Sequence, residues 1–138
     1  MNFMPKNYKR NPRIFDTNIF LRFITGDNSV YSPKAKILFN RAKKGEFKIY
    51  LDELVFGEVV WTLQSFYDYS REEIWKNLRK LLDCSFVINP RIRTMKKSLE
   101  KYATTKLSFS DCWISELSNK ESMELETFDK DLSRRAKN

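Results

Sequence analysis

The sequence predicts an α/β fold three layers deep, with helices on both faces of a short parallel sheet of four or five strands. Short β-prone runs alternate with pairs of helical patterns along the chain, the pattern of a parallel sheet with crossover helices. Its most purposeful acids fall where strands end, the edge of an open α/β sheet at which ligands and chemistry gather. The 138 residues fit one domain, large enough to bury a core without disulfide staples.

Residues 1–13 carry Lys6, Lys9, Arg10 and Arg13 among Asn and Pro, without periodicity, and read as a basic arm. Residues 14–138 read as a single domain. Ile14 and Phe15 suit a first strand and Thr17-Asn18 a helix start, which puts Asp16 at the carboxyl end of that strand. A short helix over 19–24 stops at Thr25-Gly26-Asp27-Asn28. Ser32-Pro33 supplies a hydroxyl cap and a first-turn proline for a helix to about residue 44, with Ile37, Leu38 and Ala42 inward and Gly45 ending it. A second strand covers 47–51.

Asp52 can cap the next helix, 53 to about 67, so apolar (Leu54, Val55, Phe56, Val59, Val60, Trp61, Leu63, Phe66) that most of its circumference is expected to be buried. Ser70-Arg71-Glu72-Glu73 is a capping-box signature opening a helix with Ile74, Trp75, Leu78, Leu81 and Leu82 at helical spacing. Residues 84–88 read as a third strand closed by Pro90. A basic amphipathic helix follows over 92–103, with Arg93, Lys96, Lys97 and Lys101. Ser108-Phe109-Ser110-Asp111 starts another helix, and 123–128 reads as a fourth strand ending at Asp129.

Composition narrows the chemistry. Histidine is absent, which excludes Ser-His-Asp and Cys-His catalysis and imidazole-rich zinc sites. An enzyme of this composition works through carboxylates, hydroxyls, lysines or metal-activated water, and oxygen ligands favour magnesium or manganese. Cys84 and Cys112 show neither metal-ligand spacing nor a disulfide framework. No apolar run approaches the length of a membrane span and no signal-peptide core opens the chain, so a cytoplasmic protein is expected, without membrane association. With 26 Lys and Arg against 18 acids, a formal charge of +8 attracts polyanions or simply keeps the surface solvated.

Four acids stand out, each with a plain structural alternative. Asp16 and Asp129 can cap the helices that follow them, and Asp111 completes a capping box with Ser108. Glu58 shares a helical face with Leu54, Val55 and Trp61 and is either a buried, paired carboxylate or one at an edge reaching water. If all four meet at the carboxyl ends of the strands, their mutual repulsion calls for a divalent cation among them.

Ile14-Phe15-Asp16-Thr17-Asn18, Glu58 within its apolar helix, Phe109-Ser110-Asp111, and Thr127-Phe128-Asp129-Lys130-Asp131 together resemble the PIN domain, and in particular the toxin ribonucleases of VapBC-type toxin–antitoxin pairs. Each motif alone is weak; four in order, over nearly the whole chain after residue 13, are a strong signal. The resemblance implies a Mg2+- or Mn2+-dependent endoribonuclease whose metal positions are Asp16, Glu58, Asp111 and Asp129, supported by Asn18 and Thr127. It also implies hydrolysis leaving a 5′-phosphate, a homodimer, and an antitoxin that packs near the first helices and places a basic residue near Asp16. Many family members lack the basic arm. By position alone, Arg22, Arg93, Lys96, Lys106 and Lys130 are candidates to offset the acids against RNA.

The rivals are less well matched. A receiver-type signalling module needs an aspartate ending its third strand, where Ile88-Asn89-Pro90 stands; a haloacid-dehalogenase-type phosphatase wants an aspartate where Asn18 stands. A catalytically silent PIN-like module binding RNA or protein is opposed only by the intact acid set. Phe20, Phe23, Tyr31, Phe39, Trp61, Phe66, Tyr67 and Trp75 either fill the core or leave an apolar surface for partners.

Overall fold

The computed structural model describes residues 12–136. Of the predicted basic arm, Arg13 belongs to the first strand, and Lys6, Lys9 and Arg10 lie outside the described residues. Three very short strands, β1 (Arg13–Ile14), β2 (Ile49–Tyr50) and β3 (Val87–Ile88), pair in parallel in the order β1-β2-β3. Arg13 faces Ile49, which faces Val87; Ile14 faces Tyr50, which faces Ile88. Seven helices surround them: α1 (Thr17–Thr25), α2 (Tyr31–Lys43), α3 (Glu53–Ser65), α4 (Arg71–Leu82), α5 (Ile92–Thr104), α6 (Phe109–Lys120) and α7 (Lys130–Ala136). The architecture is the expected three-layer α/β/α, with three strands among the described residues rather than four or five.

The missing strand is the one expected over 123–128. The alternation that suggested it is real, since Leu125 and Thr127 are half-buried between exposed Glu124, Glu126 and Phe128. It does not become a ladder: Glu124 and Glu126 are poor strand formers, and the segment pairs with none of the three strands. The segment hangs from α6 by the Met123 N–H to the Ser118 carbonyl (2.9 Å), after Ser122 turns the chain at φ 54°.

The core collects where short strands meet long helices. Phe15, Phe20, Phe39 and Phe47 pack edge-on or tilted with centroids 5.6–6.0 Å apart, and Phe23 stacks on Phe39 at 3.9 Å. Arg13 lies 4.2 Å over the Phe47 ring, covering its outer face with a cation. Ile49, Leu51, Val59, Val60, Leu63, Ile74, Leu78, Met95 and Leu99 complete the core. Each such side chain contributes about 1.5–3 kcal/mol on leaving water.

Two helices depart from their predicted faces. In α2 the buried residues are Ala35, Phe39 and Ala42, while Ile37 is exposed. Its cap is not Ser32: Asn28 Oδ1 accepts from the N–H groups of Val30 and Tyr31, and the Ser32 hydroxyl accepts from the Asn28 N–H. Asn competes well with Ser at a helix start because its side chain reaches the same N–H groups. In α3, Phe56, Val59, Val60 and Leu63 are buried, but Leu54 is 82%, Trp61 67% and Phe66, just beyond its end, 75% exposed. A sheet this small covers one face of α3 only. The large aromatics therefore divide: Phe20 and Phe39 fill the core, Tyr67 and Trp75 pack at its margin, and Phe23, Tyr31, Trp61 and Phe66 reach solvent.

Candidate active site

Three of the four singled-out acids sit at helix N-termini. Asp16 caps α1, its Oδ1 accepting from the Ile19 N–H at 3.1 Å. Asp129 caps α7, Oδ1 accepting from the N–H groups of Asp131 (2.9 Å) and Leu132 (3.1 Å). Asp111 lies in the first turn of α6, where its N–H donates to the capping Ser108 hydroxyl at 3.2 Å. The positive ends of three helices thus favour these carboxylates, and among the described residues none of the four acids is in an ion pair.

Glu58 is exposed rather than buried, because the face of α3 it shares with Leu54 and Trp61 looks outward. Its Oε2 accepts from the Thr17 hydroxyl at 2.6 Å. That bond ties the α3 carboxylate to the residue beside Asp16, and it is the contact that the sequence did not reveal. On its other side Glu58 lines a cleft of about 400 Å³ with Ser108 and Ser110, the residues leading into Asp111. Phe109 anchors that junction, its ring 5.3 Å from Phe56 and its edge 4.0 Å from where a Gly57 Cβ would stand.

Asp16, Glu58 and the start of α6 are therefore neighbours around one rim. Asp129 is positioned by its own helix, with the Thr127 hydroxyl accepting from its N–H at 3.0 Å, and no side-chain contact among the described residues ties it to the other three. In kind the donors fit a hard divalent cation, being carboxylate oxygens free of competing cations. They are not gathered as a cage: among the described residues no three acidic, histidine or cysteine side chains stand close enough to hold a metal.

Asn18 and Arg22 share a second cleft of about 410 Å³ with Asp16; sequence reasoning took its Tyr31 only as a core or partner-surface residue and missed its Lys34. Arg22 is committed locally, donating to both oxygens of Asp27 (3.0 and 2.8 Å) and to the Tyr67 hydroxyl at 3.2 Å. Lys96 pairs with Asp83 at 2.9 Å, whereas Arg93, Lys106 and Lys130 are exposed without an ion pair among the described residues. Lys101 is half-buried rather than on an open basic surface, bonded to Glu116, Ser115 and the Arg135 carbonyl where α5, α6 and α7 meet.

The frame behind the rim is held by two polar devices. Buried Asn89, ending β3, donates to the Leu51 carbonyl at 2.8 Å and to Glu53, and accepts from the Arg91 N–H at 2.7 Å. Arg71 donates to the carbonyls of Tyr102, Thr105, Lys106 and Leu107 at 2.7–3.1 Å and stacks 4.2 Å over the Tyr102 ring. It fixes the turn that delivers Ser108 and Asp111.

Over 101 residues the chain is 24% identical to a VapC ribonuclease of Aquifex aeolicus (strain VF5), covering 72% of this chain and 73% of that protein. No solved structure matches it significantly. Among the described residues no helix is long and apolar enough to cross a membrane. The PIN domain family matches residues 13–138, the whole span that carries the sheet, the capped acids and the Thr17–Glu58 contact; the chain belongs to the PIN domain family.

Proposed function

We propose that this chain is an endoribonuclease that hydrolyses RNA phosphodiester bonds with a Mg2+ or Mn2+ ion held by Asp16, Glu58, Asp111 and Asp129, with Asn18 and Thr127 in support. The observation that carries this reading is the Thr17–Glu58 bond, which brings an α3 carboxylate to the Asp16 helix start in a chain without histidine. Bound there, the ion would lower the pKa of a water and offset charge building on phosphorus. The chain's own part is positional. The α1 N–H groups fix Asp16, Thr17 orients Glu58, and the Arg71-braced turn sets Asp111.

Similarity to a VapC ribonuclease supports a cytoplasmic toxin with an antitoxin partner. A groove of about 430 Å³ between the first two helices and α4, lined by Phe23, Ile24, Phe39 and Leu81, suits apolar side chains of such a partner, which would also bring a basic residue to Asp16. The exposed residues of α3 suit a homodimer.

The test is purified protein with a panel of cellular RNAs, with Mg2+ or Mn2+ and with chelator. Wild type cleaves only with metal. Asp16→Asn falls to the chelator background yet keeps its circular dichroism, because asparagine caps a helix as well as aspartate does. Cleavage that survives chelator or this substitution overturns the metal mechanism. A wild type that binds RNA and never cleaves it is the silent PIN-like module instead.

A further inference from the structure

The cleft between α1 and α2 shares Asp16 with the proposed catalytic rim, yet its far wall has no part in that chemistry. Lining it are Asp16, Asn18, Ile19 and Arg22 from α1 and its cap, and Tyr31, Lys34, Ala35 and Leu38 from α2. Arg22 is neutralised by Asp27, so Lys34 is the cation of this cleft with no ion pair among the described residues. Its ammonium lies over the Tyr31 ring, 5.6 Å from the centroid, and Tyr31 as a whole is 59% exposed. The lining thus runs from an acid, through an amide, to a cation over one face of a largely exposed tyrosine.

We infer that this cleft is a nucleotide subsite next to the scissile phosphate, in which Lys34 binds a backbone phosphate and Tyr31 stacks an unpaired base. The inference rests on the ribonuclease reading and adds its substrate requirement. A phosphate is attracted to Lys34 and held off by Asp16, so it settles on the α2 side of the cleft. A base stacks on an exposed ring through its π-face, which duplex RNA keeps engaged with neighbouring bases. The strand entering here is single-stranded.

The experiment is fluorescence anisotropy of the full chain with a labelled single-stranded oligoribonucleotide and with the same sequence as a duplex, over a range of salt. Chelator is present throughout, and a gel confirms that the RNA stays intact. Wild type prefers the single strand. Lys34→Gln weakens single-strand binding and lowers the slope of log affinity against log salt by about 0.7, the release from one phosphate contact. Tyr31→Ala weakens it on the order of tenfold, as losing one stacked base does, while Tyr31→Phe binds as wild type. Lys120→Gln, at the far end of α6, is the control for loss of surface charge and binds near wild type.

Wild-type affinity and salt slope in both Lys34→Gln and Tyr31→Ala overturn the subsite, as does equal weakening of single strand and duplex. If those variants still cleave RNA with metal, the subsite alone has failed. If wild type binds no RNA and cleaves none, the ribonuclease reading has failed with it.

Discussion

Asp27 shows how one side chain fixes another that borders the candidate site. Hydrogen bonding from the Tyr67 hydroxyl (2.7 Å), aided by Thr25 and Arg22, holds its carboxyl down at about 2 against an ordinary value of 3.8. A depressed carboxyl contributes stability that is present above pH 3.8 and lost as pH falls through about 2. In a carboxyl-resolved NMR titration Asp27 therefore titrates near 2 in the wild type. In Tyr67→Phe, which removes the largest cause, it moves up toward 3.8, and the melting temperature falls less steeply across that window. An unmoved Asp27 would mean that Thr25 and Arg22 set it without Tyr67. Cys112 shows the opposite effect, as burial pushes its thiol up to about 11.

Among the elements, the junction of α4, α5 and α6 is where one residue does the work of several. Arg71 is the first residue of α4, inside a complete capping box in which Ser70 and Glu73 satisfy each other's N–H groups. Its planar guanidinium reaches four carbonyls that the end of α5 and the following turn leave open. Arg71→Met strands those carbonyls and is expected to cost about 2–4 kcal/mol, read as a lower urea midpoint at unchanged slope. Arg71→Lys recovers only part of this, since an ammonium cannot serve a fork of carbonyls while stacking on Tyr102. A loss below about 0.5 kcal/mol, the range of ordinary surface changes, would show that the turn holds itself.

For the whole molecule, the outward face of α3 is where we propose that two copies of the chain meet. Leu54 and Trp61 stand seven residues apart on that face with Glu58 between them, and Phe66 follows past its end. So many exposed large apolar side chains on one element mark an interface. Multi-angle light scattering at tens of micromolar is expected to give a dimer mass for the wild type and a monomer mass for Trp61→Glu, with unchanged circular dichroism. A monomeric wild type would leave this face to another partner.

Local chemistry determined much of this protein directly. The capping box at Ser70, the Asp52 and Asp16 caps, the glycine ending α1 at φ 62° and the β-helix alternation depend on residues a few positions apart, so they are legible in the chain. The candidate acids were legible because Asp16, Asp111 and Asp129 mark helix starts whatever else they do. Tertiary structure decided what depends on distant partners. It left 123–128 outside the sheet, and turned Glu58 outward because the small sheet covers one face of α3. It tucked Lys101 beside Glu116 and linked Thr17 to Glu58 across 41 positions. Periodicity records which residues share a face, whereas which face is covered depends on the size of the sheet and on the neighbours the fold brings to it.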